Sequence, residues 1–191
     1  MRIDYDAGTQ RVQAELDALQ ARLQARTPRL RARGLPLAGL THLRVHQRSA
    51  DGEHYFYIED VRARLLAGYV VFNRLVDIDR ALDPYVRSPH ARFRPAYQRQ
   101  GVATWLYRQM LDAGVSLLSG ARQSAAAHAL WRALGRRYPM GFVRLQGREL
   151  TALGPAISLD VFDDLHTRLL LCGAGWDIAQ LLRQARRRRQ A

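Results

Sequence analysis

The segment from Phe93 to Tyr107, Phe-Arg-Pro-Ala-Tyr-Gln-Arg-Gln-Gly-Val-Ala-Thr-Trp-Leu-Tyr, limits the possible folds of this chain more than any other stretch. A strand must end by Pro95, because proline cannot go on donating to a ladder. From Gly101 the spacing of Val102, Trp105, Leu106, Met110 and Ala113 predicts a helix, which Gly114 closes as a C′ residue. The junction Gln98-Arg99-Gln100-Gly101-Val102-Ala103 then aims unpaired N–H groups and the positive end of a helix dipole at one point. An anion, typically a phosphate, suits such a point. Gly101 lets a ligand approach the backbone, and the small Ala103 keeps a second approach open.

The flanking sequence predicts a sheet around this junction. Before it, Leu43 to Gln47, His54 to Glu59 and Leu65 to Asn73 read as antiparallel strands, rich in β-branched and aromatic residues. Asp51-Gly52 is the hairpin signal between the first two. Tyr85 to Arg94 is the central strand. After the junction come a short strand over Val115 to Ser119, a helix over about Gln123 to Leu134, and a hairpin of Phe142–Leu145 with Glu149–Leu153. Near the N-terminus, Thr9 to Ala25 predicts an amphipathic helix whose seam is Val12, Leu16, Leu19 and Leu23. This seam is expected to pack on the sheet, a dimer contact being the minority alternative. Thr27-Pro28 should stop the helix.

At 191 residues the chain is long enough for a proper core. It has one cysteine, Cys172, flanked by Leu169 to Leu171, which reads as buried and inert and suits a reducing compartment. No apolar run is long enough to span a bilayer and the first residues show no signal-peptide pattern, so a cytoplasmic protein is expected. The formal charge is +13 and contains no Lys, which favours anionic partners. Arg183 with Arg186 to Arg189 forms one basic cluster, and Arg26, Arg29, Arg31 and Arg33 form another. The six His residues make no ligand pairs, so no metal site is expected.

Gln98-x-x-Gly101-x-Ala103 resembles the Q/R-x-x-G-x-G/A pyrophosphate loop of the GNAT superfamily of acyl-CoA N-acyltransferases. The order of elements after it is similar to that family's coenzyme-binding half. The resemblance implies an α/β (α+β) fold with a mixed, mostly antiparallel sheet flanked by helices. It implies three parts: residues 1–33 as an N-terminal helix and basic connector, 34–154 as the acyltransferase domain, and 155–191 as a helical extension with an Arg-rich tail. It also implies an acetyl-CoA-dependent N-acetyltransferase, with acetyl-CoA or another acyl-CoA as cosubstrate and an amine-bearing small molecule or protein as acceptor, acting as a monomer or homodimer.

Carried over residue by residue, the coenzyme would be held by Phe93, Arg94, Gln98, Arg99, Gln100, Gly101, Val102, Ala103, Thr104, Ser124 and Trp131. Arg94 departs from the apolar residue usual in the family. Trp131 falls where many members carry a Tyr that protonates the departing thiolate, and an indole N–H is no usable acid. Its alternative role is core packing. Ser124 or Ser119 could assist the thiolate instead, with Tyr138 a minor candidate. His90 on the central strand and Glu59 are the candidate bases, with Asp60, Asp77, Asp79 and Asp83 in reserve. Two rival functions are a GNAT-fold acyl-CoA-binding protein without turnover and a basic nucleic-acid-binding module driven by the Arg surplus.

Overall fold

The computed structural model describes the main chain of residues 1–25 and 31–189 and the side chains of residues 1–25 and 31–184. Thr27, Pro28, Arg26 and Arg29 lie outside the described residues, as do the side chains of Arg186 to Arg189. The chain divides into two compact units. One comprises Ala7–Asn73 and His90–Trp105, and the other Met1–Asp6, Arg74–Pro89 and the chain from Leu106 onward.

The first unit begins with α1 (Thr9–Ala25), which starts at the predicted Thr9 and continues to the last described residue before 26. Val12 and Leu16 are buried against Tyr57, Leu66, Tyr69 and Val71, with Leu19 and Leu23 packed at the edge. The seam therefore covers a sheet face, and full burial of Leu16 contributes about 1.5–3 kcal/mol. The sheet under it runs β1 (Arg31–Gly34), β2 (Leu43–Ala50), β3 (Glu53–Asp60) and β4 (Leu65–Asn73), all antiparallel. Asp51 and Gly52 both adopt positive φ, +54° and +77°, so the hairpin turn has the primed geometry that matches strand twist. The exposed edge strand β1 has no apolar alternation and is not predicted by its Arg-Ala-Arg-Gly sequence. Gly68 of β4 is required by contact, because a Cβ there would meet the Phe93 ring at 2.4 Å.

In the second unit, β5 (Val86–Phe93) starts a parallel ladder with β6 (Ser116–Leu118). Only Val86↔Ser116 and Arg87↔Leu117 are paired, and Pro89, which lacks an N–H, follows two residues later. The antiparallel strands β7 (Met140–Gln146) and β8 (Glu149–Gly154) match the predicted hairpin. The segment beyond Gly154 is more than an extension: β9 (Thr167–Leu171) pairs with β6 on one side and β7 on the other. Leu170 and Cys172 lie in a core with Leu118, Val143, Leu145 and Leu181. Burial pushes the Cys172 thiol up to about 12, which keeps it unreactive. The helices of this unit are α3 (Ala125–Leu134), α4 (Leu159–Asp163) and α5 (Ile178–Arg189). The helix α2 (Val102–Asp112), like β5, has residues in both units. The fold is thus mixed α/β with mostly antiparallel pairing. Among the described residues, no helix is long and apolar enough to cross a membrane.

Candidate functional site

The site is built on the first unit where β5 ends. Arg94 leaves the strand, its N–H bonded to Ala67 O at 2.9 Å. A 3-10 turn over Pro95–Tyr97 follows, and Gln98 closes it by donating to Pro95 O at 3.2 Å. The chain then reverses through two left-handed residues, Arg99 at φ +58° and Gly101 at φ +82°. Helix α2 begins at Val102, and Trp105 N–H donates to Gly101 O at 2.9 Å. Among the described residues, none accepts a hydrogen bond from the N–H groups of Arg99 or of Gly101 to Thr104.

Several contacts hold this turn open. The Gln98 amide donates back to Phe93 O at 3.1 Å, and the Gln100 amide to Ala96 O at 2.7 Å. Both glutamines thus brace the turn rather than cap the helix. No atom lies within 4 Å of where a Gly101 Cβ would stand, so the backbone there faces open space. Val102 is buried and anchors the helix start, whereas Arg99, Gln100 and Gly101 are exposed. Consecutive N–H groups in a left-handed turn at a helix N-terminus form a concave anion receptor.

The turn is also fixed from behind. Arg94 Nε donates to Leu66 O at 2.9 Å, and its other nitrogen reaches Asp17 of α1 at 2.6 Å. This brace accounts for arginine at a position the family resemblance leaves apolar. Tyr97 donates its hydroxyl to Asp60 at 2.7 Å, and Asp60 also accepts from the N–H groups of Arg62 and Ala63. Burial alone would raise the Asp60 pKa, but the bonds from Ala63, Tyr97 and Arg62 outweigh it and hold the carboxyl below its usual range. Asp60 is therefore committed to the turn. An acceptor bonded two and three residues ahead is an Asx-type signature, legible in Asp60-Val-Arg-Ala.

The candidate bases have different surroundings. His90 is half-buried on β5, its ring 5.8 Å from that of Tyr69. Burial first, and the Arg92 charge second, lower its pKa against the opposing pull of Glu15. Its neutral, proton-accepting form therefore persists to lower pH than in an ordinary imidazole. Glu59 on β3 lies 2.6 Å from His46 Nε2 of β2, a partner that sequence reading misses because the two sit on different strands. In the second unit, Asp83 is held by Arg74 and faces Arg87.

The remaining candidates in the second unit are tied into its framework. Ser124 is the N-cap of α3, its hydroxyl oxygen accepting from Ala127 N–H at 3.1 Å. Trp131 is 3% exposed and meets the Tyr107 ring edge-on at 6.4 Å. Tyr138 donates to Asp112 at 2.6 Å, and Ser119 accepts from Leu169 N–H at 2.9 Å. Among the described residues, no group of three His, Cys, Asp or Glu side chains could hold a metal ion.

No protein-family model matches the chain, and no curated protein sequence matches it significantly. Solved structures do align with it. A GNAT superfamily phosphinothricin acetyltransferase from Sinorhizobium meliloti, in complex with AcCoA, aligns at 18% identity with a TM-score of 0.42. That alignment covers 67% of this chain and 64% of the other, so this chain spans just under two thirds of that protein. Spermidine N-acetyltransferase from Vibrio cholerae, in complex with CoA and spermine, aligns at 18% identity over 69% of each chain with a TM-score of 0.35. A cAMP-binding acyltransferase from Mycobacterium smegmatis aligns at 9% identity over 93% of this chain and 59% of its own, with a TM-score of 0.45.

Proposed function

We propose that the Gln98–Thr104 turn binds the diphosphate of an acyl-CoA and that the protein is an N-acetyltransferase using acetyl-CoA. The observation that carries this reading is the run of N–H groups from Gly101 to Thr104, together with that of Arg99, for which no described residue is an acceptor. A diphosphate accepts several such donors at once, and the helix dipole favours its charge. A turn this exposed, braced from behind and lacking a capping side chain, suits a ligand better than it suits a purely structural role.

In the proposed reaction an amine lone pair attacks the thioester carbonyl, the C–S bond breaks, and the electron pair leaves on the CoA thiolate. The nitrogen's proton passes to His90, which its surroundings keep neutral, with Glu59 as the alternative acceptor. Holding both substrates supplies much of the rate. No side-chain acid is assigned to the thiolate, because Trp131 is core and the Tyr138 hydroxyl is bonded to Asp112. That same observation favours a second reading, acyl-CoA binding without turnover. Thiol release from acetyl-CoA, followed with a thiol-reactive dye across an amine panel, tests the proposal. Release that depends on both amine and His90 supports transfer. Saturable coenzyme binding with no release from any amine supports the second reading.

A further inference from the structure

A hollow of about 170 Å³ opens in the first unit between the C-terminal half of α1 and the sheet face that α1 covers. Tyr57 and His46 line it from β3 and β2, Leu23 and Gln24 from α1, and Leu65 and Leu66 from β4. Glu59 and the exposed Arg64 complete the lining. Gln20 forms one wall. Its amide accepts from Leu66 N–H at 2.8 Å and donates to Arg64 O at 3.3 Å, fixing the helix to the β3–β4 connection. The volume lies below the roughly 300–1,000 Å³ of drug-sized sites, so the occupant is small.

Its polar chemistry is specific. Glu59 has one carboxylate oxygen on His46, and no described residue donates to the other. Arg44 stands directly across from Glu59 in the β2–β3 register, yet no described guanidinium comes within 4.0 Å of it. The rest of the lining sets Leu23, Leu65, Leu66 and the buried Tyr57 ring beside the amides of Gln20 and Gln24 and the Arg64 side chain. A half-buried anion above apolar walls selects a cation carried on a short apolar body.

We propose that this hollow binds a primary amine, its ammonium paired with Glu59 and its body lying on Tyr57, Leu23 and Leu65. The hollow is tied to the anion-binding turn, because Leu66 O accepts from Arg94 and Asp60, the neighbour of Glu59, accepts from Tyr97. Binding of the amine stands independently of the acyl-transfer reading. That the bound amine is also the acetyl acceptor rests on that reading.

The test titrates benzylamine, benzyl alcohol and benzoate into the full chain without coenzyme, following the backbone amides of Tyr57, Glu59 and Leu66 by NMR. Benzylamine should shift these amides saturably and bind about tenfold or more tighter than benzyl alcohol. Glu59→Gln should remove that preference, and Leu23→Trp should block both ligands. The comparison of ligands in the unaltered protein needs no variant to fold. Equal affinity for amine and alcohol, tighter binding of benzoate, an unchanged preference in Glu59→Gln, or no binding at all would overturn the proposal. Acetyl-CoA is then added to the bound sample. N-acetylbenzylamine formation makes the hollow the acceptor site. Binding without product leaves the amine site standing and counts against the hollow as the place of transfer.

Discussion

Two helices of similar length, α2 and α3, begin in opposite ways. At α3 the Ser124 hydroxyl turns inward and accepts from Ala127 N–H, and the helix carries the buried Trp131 into a core. At α2 no described side chain accepts from the first N–H groups. Gln98 and Gln100 bond backward to Phe93 O and Ala96 O, Arg99 and Gly101 take positive φ, and no described residue accepts from the first N–H groups of the helix. A helix start that only needs stability is capped by its own side chain, at about 1 kcal/mol. The start of α2 is instead braced from behind and open in front, as the proposed diphosphate site requires.

This contrast can be broken first at Trp131. If α3 is framework, Trp131→Ala should lower stability by about 3–5 kcal/mol in denaturant unfolding, with no specific loss of coenzyme affinity in the fraction that stays folded. A small stability loss accompanied by a large affinity loss would transfer α3 to the binding machinery. The next largest effect belongs to the open turn. Saturation with acetyl-CoA at about a hundred times its dissociation constant should add about 2.7 kcal/mol to the native protein. Gly101→Asp places a carboxylate beside the diphosphate and should abolish that gain, whereas Gly101→Asn, which tolerates positive φ, should retain part of it. Ser124→Ala sharpens the other side of the contrast, with an expected stability loss of about 1 kcal/mol.

The smallest effect is a pH dependence at His90. Its folded pKa lies below the unfolded value, so the unfolded chain takes up the proton first as pH falls through the ordinary imidazole range. Stability should therefore decline on the acid side of that range and level off below the folded pKa, and His90→Gln should remove this component. If His90 is the base, the acid limb of the rate profile should also lie below that of an unperturbed imidazole. A limb at or above the ordinary value would exclude it.

Local signals made much of the fold legible in advance. The four-three-four spacing of Val12, Leu16, Leu19 and Leu23 marked α1 and its packed seam, and Asp51-Gly52 marked the hairpin. The strand–turn–helix at Phe93–Tyr107 was readable because proline, glycine and periodicity all act within a few residues of one another. What escaped depends on long-range pairing. Strand β9 reads as an isolated apolar cluster until β6 and β7 are on either side of it. The edge strand β1 carries no apolar alternation because neither of its faces is buried. At the site, the commitment of Asp60 to Tyr97 and the pairing of Glu59 with His46 join side chains far apart in the chain. A list of carboxylates cannot reveal which of them are already engaged.

The most direct measurement is a backbone amide NMR titration of the full chain with CoA. The account predicts that the N–H resonances of Arg99 to Thr104 move farthest, downfield and saturably, and that those of Ala125 to Ala127 at the start of α3 stay close to their free positions. Saturable CoA binding that leaves Arg99 to Thr104 unmoved, or no binding at all, would contradict it.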